Sequence, residues 1–231
     1  MELMMGLLTG LLAALGITYV YWRYFFFFRD PHRVVTQDES ALVSPADGTV
    51  IYIKEVLTDE VLFCTKLGRK ISLQEYCAAQ EFQTPCYLVG IFMHPTGVHV
   101  NRAPISGEIE KIDYLQGKNL PMTLTWWRAI LGLKPYEKYA GHLFSNERNI
   151  IGIKGRLRVL VIQIADIYVN KIECWVKEQD RVSKGQRLGM IKMGSQVDVL
   201  IPMAAGLTFN IEVGRKVKAG ESIIAYYREE G

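Results

Sequence analysis

Apolar and polar positions follow different rules in successive parts of this chain. Residues 4–22 hold no charged side chain and consist of Leu, Ala, Gly, Ile, Val, Thr, Met and aromatic residues. A run of that length is sufficient to cross a hydrocarbon core as a helix. After Pro31 the pattern shortens. Residues 50–53, 87–93, 108–114, 150–153, 157–164 and 171–176 are mostly rich in Val, Ile and Tyr, with Gly, Pro and Asp punctuating them. Such runs predict strands. The reading is mainly β (α+β): a barrel-sandwich-like β domain over residues 31–231, behind an N-terminal transmembrane or membrane-anchoring helix over residues 1–30.

The flank of the apolar run sets the expected orientation. Tyr19, Tyr21, Trp22, Tyr24 and the phenylalanines 25–28 cluster with Arg23, Arg29 and Arg33. Aromatic residues and arginines suit the membrane interface. Positive residues after the span predict that the large C-terminal part faces the cytoplasm, at the cell (inner) membrane. A cleaved signal peptide would want positive residues before the run and small residues after it. A buried core helix and an interfacial or hairpin helix are the other readings.

Weak internal repeats accompany the strand pattern. DRVSKGQRLGMI at 180–191 and GRKVKAGESIIA at 214–225 share an order of Arg, Val, Lys, Gly and then apolar residues. ADGTVIYI at 46–53 and ISGEIEKI at 105–112 share Gly followed by alternating apolar residues. Units that turn and re-enter a strand are shared with the barrel-sandwich folds of biotinyl and lipoyl carriers. Residues 117–142 break the rhythm, with Trp126, Trp127, Ile130, Leu131 and Leu133 beside Arg128, Lys134 and Lys138. This segment reads either as a buried helix or as a surface helix dipping into the bilayer.

Composition narrows the function classes. The chain has 231 residues, 49% hydrophobic and 22% charged, with a net charge of +3, enough for one substantial domain. Basic and acidic residues are interspersed, so a nucleic-acid partner is not expected. The cysteines, at 64, 77, 86 and 174, form no C-x-x-C pair and read as reduced thiols.

The chemistry concentrates in Lys192-Met193-Gly194-Ser195-Gln196, within RLGMIKMGSQVDVLIP. A Gly-Ser pair alone is an ordinary turn. Here it accompanies FFRDP at 27–31, SPADG at 44–48, GVHVNRAPISG at 97–107 and NERN at 146–149. Together these segments resemble the phosphatidylserine decarboxylases, in the short form whose motif ends in Gly-Ser. The resemblance runs from about residue 27 to 202 and covers neither the apolar span nor residues 117–142 closely.

The resemblance implies a proenzyme that cuts its own backbone at Gly194–Ser195, turning Ser195 into a covalent pyruvoyl group. Such a cut needs the hydroxyl at the preceding carbonyl carbon, a base for its proton and donors for the oxyanion. Glycine before the serine permits the strained turn. An amide-to-ester shift, β-elimination and hydrolysis follow. The expected products are a β chain, residues 1–194, and an α chain, residues 195–231, that stay associated. The pyruvoyl ketone is then expected to form a Schiff base with the serine amine of phosphatidylserine, releasing carbon dioxide and leaving phosphatidylethanolamine. The expected partners are this phospholipid, the membrane and the two chains of the proenzyme, with a homodimer left open.

His99 matches the family's catalytic histidine, and histidine switches between base and acid near neutral pH. Asp47 matches the family's aspartate and is expected to orient the imidazole, as in a Ser-His-Asp arrangement. Asn101, Arg102 and His94 are the expected substrate-binding residues, with Asn101 and Arg102 on the phosphate or carboxylate; Arg102 reads equally well as a structural ion-pair residue. Some positions depart from the family. Arg102 stands where long-form relatives carry a second histidine, His94 where serine is common, Gly97 where aspartate is common and Asp166 where glycine is usual. One histidine then serves both steps, or His94 takes a share. His94 and His99 lack the carboxylate or thiol that would make a metal set. Two rival readings remain: a membrane-tethered biotinyl/lipoyl-like carrier modified on Lys192, and a non-catalytic relative that never matures.

Overall fold

The computed structural model describes residues 2–58, 60–63, 70–77, 82, 85–167, 172–192, 195–203 and 206–227. Cys64, Lys171 and Gly194 lie outside these residues.

The apolar run forms helix α1 (Glu2–Tyr21), continued by a π-helical stretch, Trp22–Phe26. Its 20 residues extend about 30 Å, the thickness of a bilayer's hydrocarbon core. None of its residues is buried, which rules out the core-helix reading. Thr9 and Thr18 return their hydroxyls to the carbonyls of Met5 and Ala14, at 2.9 and 2.8 Å, so their polarity is satisfied within the helix. Packing against the β domain begins at Phe27, which is buried.

In chain order the strands are β1 (Ala41–Val43), β2 (Gly48–Val56), β3 (Glu60–Leu62), β4 (Lys70–Ser72), β5 (Cys86–Met93), β6 (Val100–Arg102), β7 (Gly107–Leu115) and β8 (Arg148–Lys154). They continue with β9 (Arg158–Ala165), β10 (Ile172–Cys174), β11 (Arg181–Val182), β12 (Arg187–Ile191), β13 (Ser195–Pro202), β14 (Thr208–Phe209), β15 (Lys216–Val217) and β16 (Ile223–Tyr226). Short helices α2 (Leu73–Cys77), α3 (Thr123–Ile130) and α4 (His142–Ser145) interrupt them. The mainly β expectation therefore holds.

The eight-stranded sheet, curled into a half-barrel, runs β11-β7-β8-β9-β13-β5-β2-β15. Its two ends are built alike, and the weak sequence repeats form them. Val182 of β11 pairs with Gly107 of β7, and Val217 of β15 pairs with Gly48 of β2. Three residues beyond each valine, Gly185 and Gly220 turn the chain at φ +77° and +76°, a region that disfavours any side chain. Their N–H groups donate to the carbonyls of Ala103 and Ser44, each at 2.8 Å. A Cβ on Gly48 would lie 2.2 Å from the Phe92 carbonyl oxygen, and one on Gly107 would lie 2.6 Å from that of Lys154. The small sheets flanking the two ends, β1-β16-β14 and β6-β12-β10, repeat the relation.

β9 and β13 occupy the centre and are buried on both faces, which is why they read as continuous apolar runs. Val197, Val199 and Ile201 enter one core with Val159 and Val161. Leu200, Ile162 and Ile164 enter the other, where Tyr52, Phe63 and Tyr76 also pack.

Candidate active site

Ser195 is the first residue of β13. It pairs with Met93, the last residue of β5, on one side and with Ala165, the last of β9, on the other. The chain from Met93 turns through residues 94–98 and reaches His99 just before β6. One end of the half-barrel thus gathers Ser195, Met93, Ala165 and the His99 loop.

Ser195 is fully buried. Its hydroxyl donates to the Met93 sulfur at 3.2 Å, a weak acceptor that holds the proton loosely. The Asn101 amide approaches the same sulfur at 3.6 Å. Behind it runs a buried relay: Gln163 Nε2 donates to Asn101 Oδ1 at 2.7 Å, and Asn149 Nδ2 donates to Gln163 Oε1 at 2.8 Å. The relay fixes the Asn101 side chain beside the serine, among otherwise apolar neighbours.

His99 is fully buried and stacks on Phe27 with ring centroids 4.2 Å apart. Its Nδ1 lies 3.1 Å from the Gly97 carbonyl. That carbonyl can only accept, so Nδ1 carries the proton and Nε2 presents its lone pair. Nε2 is buried with no hydrogen-bond partner among the described residues. Burial lowers the imidazole's pKa from its ordinary 6.5 to about 4, against the Gly97 bond and with a smaller push from Arg29. The ring is therefore a neutral base at physiological pH. An unsatisfied buried acceptor costs about 1–3 kcal/mol, and such sites persist where chemistry uses them.

The FFRDP segment closes over this end. Phe27 covers His99, and Arg29 donates to the Thr96 carbonyl at 2.7 Å. Asp30 pairs with Arg102 at 2.6 Å and also with Arg187. Arg33 grips both oxygens of Asp47 at 2.9 Å.

That grip is where the structure places Asp47, expected from the sequence beside the imidazole. Its carboxylate bonds to Arg33 and to the Ala219 N–H, at 2.8 Å, and not to the imidazole. A charged guanidinium is the stronger partner for a carboxylate, and the Gly97 carbonyl already occupies Nδ1. Asp47 thus ties the SPADG turn to the chain leaving α1. Arg102 donates from Nη2 to Asp30 and from Nη1 to the Gly185 carbonyl at 2.8 Å, the ion-pair alternative for that residue. His94 Nε2 meets the Thr49 hydroxyl at 2.8 Å, away from the Ser195 contacts, and burial followed by the Lys216 charge lowers its pKa. Of the expected residues, Ser195 and Asn101 meet at Met93, and His99 stands on the loop between them. Gly194 falls outside the described residues.

Sequence reasoning missed the support behind Ser195. On the opposite face of β13, Gln196 Nε2 donates to Asp198 Oδ1 and to the Tyr52 hydroxyl, both at 2.7 Å. His142 Nε2 lies 3.2 Å from Gln196 Oε1. Tyr52 and Tyr76 both donate to the other Asp198 oxygen. Burial raises the Asp198 pKa to about 6 against these bonds, and burial lowers His142 to about 4. Polar residues inside an apolar run, GSQVDVLIP, were the available signal. The sequence of the NERN segment gives no sign of its structural contacts. Asn146 fastens Leu120 and the Ala165 carbonyl, Arg148 reaches the Tyr76 and Leu143 carbonyls, and Asn149 starts the relay to Asn101.

Lys192 pairs with Glu173 at 2.6 Å and lies over the Phe28 ring, a poor posture for a carrier lysine at an exposed tip. The buried Ser195 hydroxyl and the unpartnered His99 nitrogen instead suit a serine-derived pyruvoyl group.

A profile described as phosphatidylserine decarboxylase matches residues 21–225. The chain is 39% identical over 215 residues to a putative archaetidylserine decarboxylase proenzyme from Methanocaldococcus jannaschii, covering 89% of this chain and 90% of that one. It is 38% identical over 199 residues to the phosphatidylserine decarboxylase proenzyme of Syntrophus aciditrophicus, covering 85% and 76%. It is 34% identical over 200 residues to that of Carboxydothermus hydrogenoformans, covering 86% and 77%. The chain therefore belongs to the phosphatidylserine decarboxylase family, the pyruvoyl-dependent carboxy-lyases made as proenzymes.

Proposed function

We propose that Ser195 and His99 perform both the maturation and the turnover of this decarboxylase. In maturation the Ser195 hydroxyl attacks the carbonyl carbon before it, and His99 Nε2 takes the hydroxyl proton. The observation that carries this reading is the buried, unpartnered Nε2 at the sheet end that holds Ser195. Cleavage between Gly194 and Ser195 gives chains of residues 1–194 and 195–231. β13 keeps them together, because it remains paired to β5 and β9 after the cut. The Asp198–Gln196–His142 network holds the new terminus in register.

The pyruvoyl group made from Ser195 supplies the electron sink that lets a carboxylate leave as carbon dioxide. His99 Nε2, which carries no proton at rest, takes one from the substrate amine as it binds and returns it to the substrate carbon that loses the carboxyl. Asn101, held by Gln163, is the polar side chain that orients the headgroup. Arg102 and Asp47, engaged with Asp30 and Arg33, hold the site's walls.

The substrate is the phosphoserine headgroup of a membrane lipid. Phosphatidylserine and archaetidylserine, named for the two kinds of relative, share that headgroup. The anchor α1 keeps the domain at the bilayer, and the arginines after it favour the cytoplasmic side. The test is carbon dioxide release from carboxyl-labelled serine lipids with ester-linked and ether-linked chains. The proposal expects release from both, and none from Ser195→Ala. Release by Ser195→Ala, or by neither lipid with mature wild type, overturns it.

A further inference from the structure

Helix α3 is apolar on both faces. Met122, Trp126 and Ala129 face inward and pack on the core. Leu124, Trp127 and Ile130 face outward, followed by Leu131 and Leu133, at 46, 50, 51, 61 and 49% exposure. A surface helix normally presents charge on its outer face. The basic residues of the segment, Arg128, Lys134 and Lys138, flank the exposed apolar residues in sequence, and Arg128 donates to the Pro135 carbonyl in the turn after the helix at 3.0 Å.

Its position in the fold supplies the second observation. The chain entering α3 is pinned to the sheet end that carries Ser195. Asn146 bonds the Leu120 N–H and carbonyl, both at 2.8 Å, and the Ala165 carbonyl at 2.6 Å. Asp166 accepts the Met122 N–H at 3.1 Å. Ala165 is the residue paired with Ser195. The exit from α1 is fixed to the same end by Phe27 on His99 and Arg29 on Thr96. Two apolar elements that water does not suit thus attach where the serine lies.

We propose that α3 and the turn after it form a second membrane contact, lying in the headgroup layer of an anionic bilayer beside the sheet end that carries Ser195. Trp127 and the aliphatic residues enter the acyl boundary, and Arg128, Lys134 and Lys138 face the phosphates. The anchor holds the domain near the bilayer, and α3 fixes its tilt, so that a serine headgroup reaches Ser195 without leaving the membrane. The proposal rests on the membrane association of the chain, not on the role given to His99, so the two readings fail separately.

The test uses the full-length, mature protein in vesicles of phosphatidylcholine, with and without phosphatidylglycerol, carrying brominated acyl chains. The Trp127 emission is obtained by subtracting the Trp127→Phe variant from wild type. Trp127 is expected to be quenched at least about twofold, more with the anionic lipid. A triple variant, Trp127→Ser with Ile130→Ser and Leu131→Ser, is expected to turn over serine lipid in these vesicles about tenfold more slowly. Its self-cleavage and its rate on a monomeric short-chain serine lipid should be unchanged. Trp127 emission untouched by brominated lipid overturns the proposal, including the case in which the patch is buried between two copies of the chain.

Discussion

Asp30 is the residue whose removal should report most clearly on how the chain leaving α1 and the candidate site are joined. β6 and β12 place Arg102 directly opposite Arg187, and like charges facing each other across strands repel. Asp30, delivered by the chain leaving α1, neutralises both. The Arg102 and Asp30 side chains are only 11 and 15% exposed. Breaking such a pair from one side costs about 3–5 kcal/mol, because the remaining charge stays buried. Arg187 is 59% exposed and adds at most about 1 kcal/mol. Asn at position 30 keeps a hydrogen-bond acceptor, so Asp30→Asn should cost about 3 kcal/mol. At about 2–4 °C per kcal/mol for a chain of this size, the unfolding midpoint should fall by roughly 6–12 °C. The assay is thermal unfolding in detergent, followed by tryptophan emission, on a Ser195→Ala background that keeps one covalent chain. Adding Arg102→Gln removes the stranded charge, so the double variant should recover at least about 1 kcal/mol relative to additivity. A midpoint for Asp30→Asn within a degree of its parent, or strict additivity, would refute the reasoning.

Other outcomes follow from the same geometry. His99→Gln, which preserves a buried polar side chain but removes the base, should leave a full-length uncut chain on a denaturing gel; cutting at the wild-type rate would show that another group takes the proton. Because the His99 pKa lies near 4, at pH 5.5 about 97% of the imidazole stays neutral, against about 10% for an ordinary histidine. Self-cleavage of newly translated chain should therefore persist at pH 5.5, and a tenfold loss there contradicts the burial argument. Stability should fall with acid. As pH drops below 6.5 the unfolded chain protonates His99 and His142 while the fold, with both near 4, does not. Each such proton costs the fold about 1.4 kcal/mol per pH unit. Asp198, raised from 3.8 to about 6, takes up a proton in the fold over the same range, so the net uptake on unfolding is about one proton between pH 6 and 5 and stability should fall there by about 1.4 kcal/mol per pH unit; a midpoint that rises over that interval refutes the assignment. Gly48→Ala and Gly107→Ala, which press a Cβ onto the carbonyls of Phe92 and Lys154, should each destabilise by more than about 2 kcal/mol; unfolding midpoints equal to wild type would show that the strands yield.

Much of this architecture was legible in the chain. The strand runs were read correctly because β5, β8 and β9 are buried nearly throughout, and burial leaves an unbroken apolar record. The repeats were visible because Gly185 and Gly220 occupy equivalent left-handed turns that tolerate little else. The fully exposed α1 wrote its own composition. The pairing of charges was not legible. Asp47 and Arg33, or Arg102 and Asp30, are joined across the fold, and local pattern says nothing about which guanidinium meets which carboxylate. The Asp198 network was hidden for a related reason: its members come from β2, α2, α4 and β13 and become one unit only on folding. Residues 117–142 were divided between a buried and a surface reading, and α3 is both, with one apolar face in the core and another outside it.

The central claim is that Ser195 becomes the prosthetic group. Intact mass under denaturing conditions tests it most directly. The account predicts two chains breaking between Gly194 and Ser195, the smaller lighter by one ammonia than a peptide beginning in free serine. A single unmodified chain, or a smaller fragment that retains a free serine at its N-terminus, would contradict it.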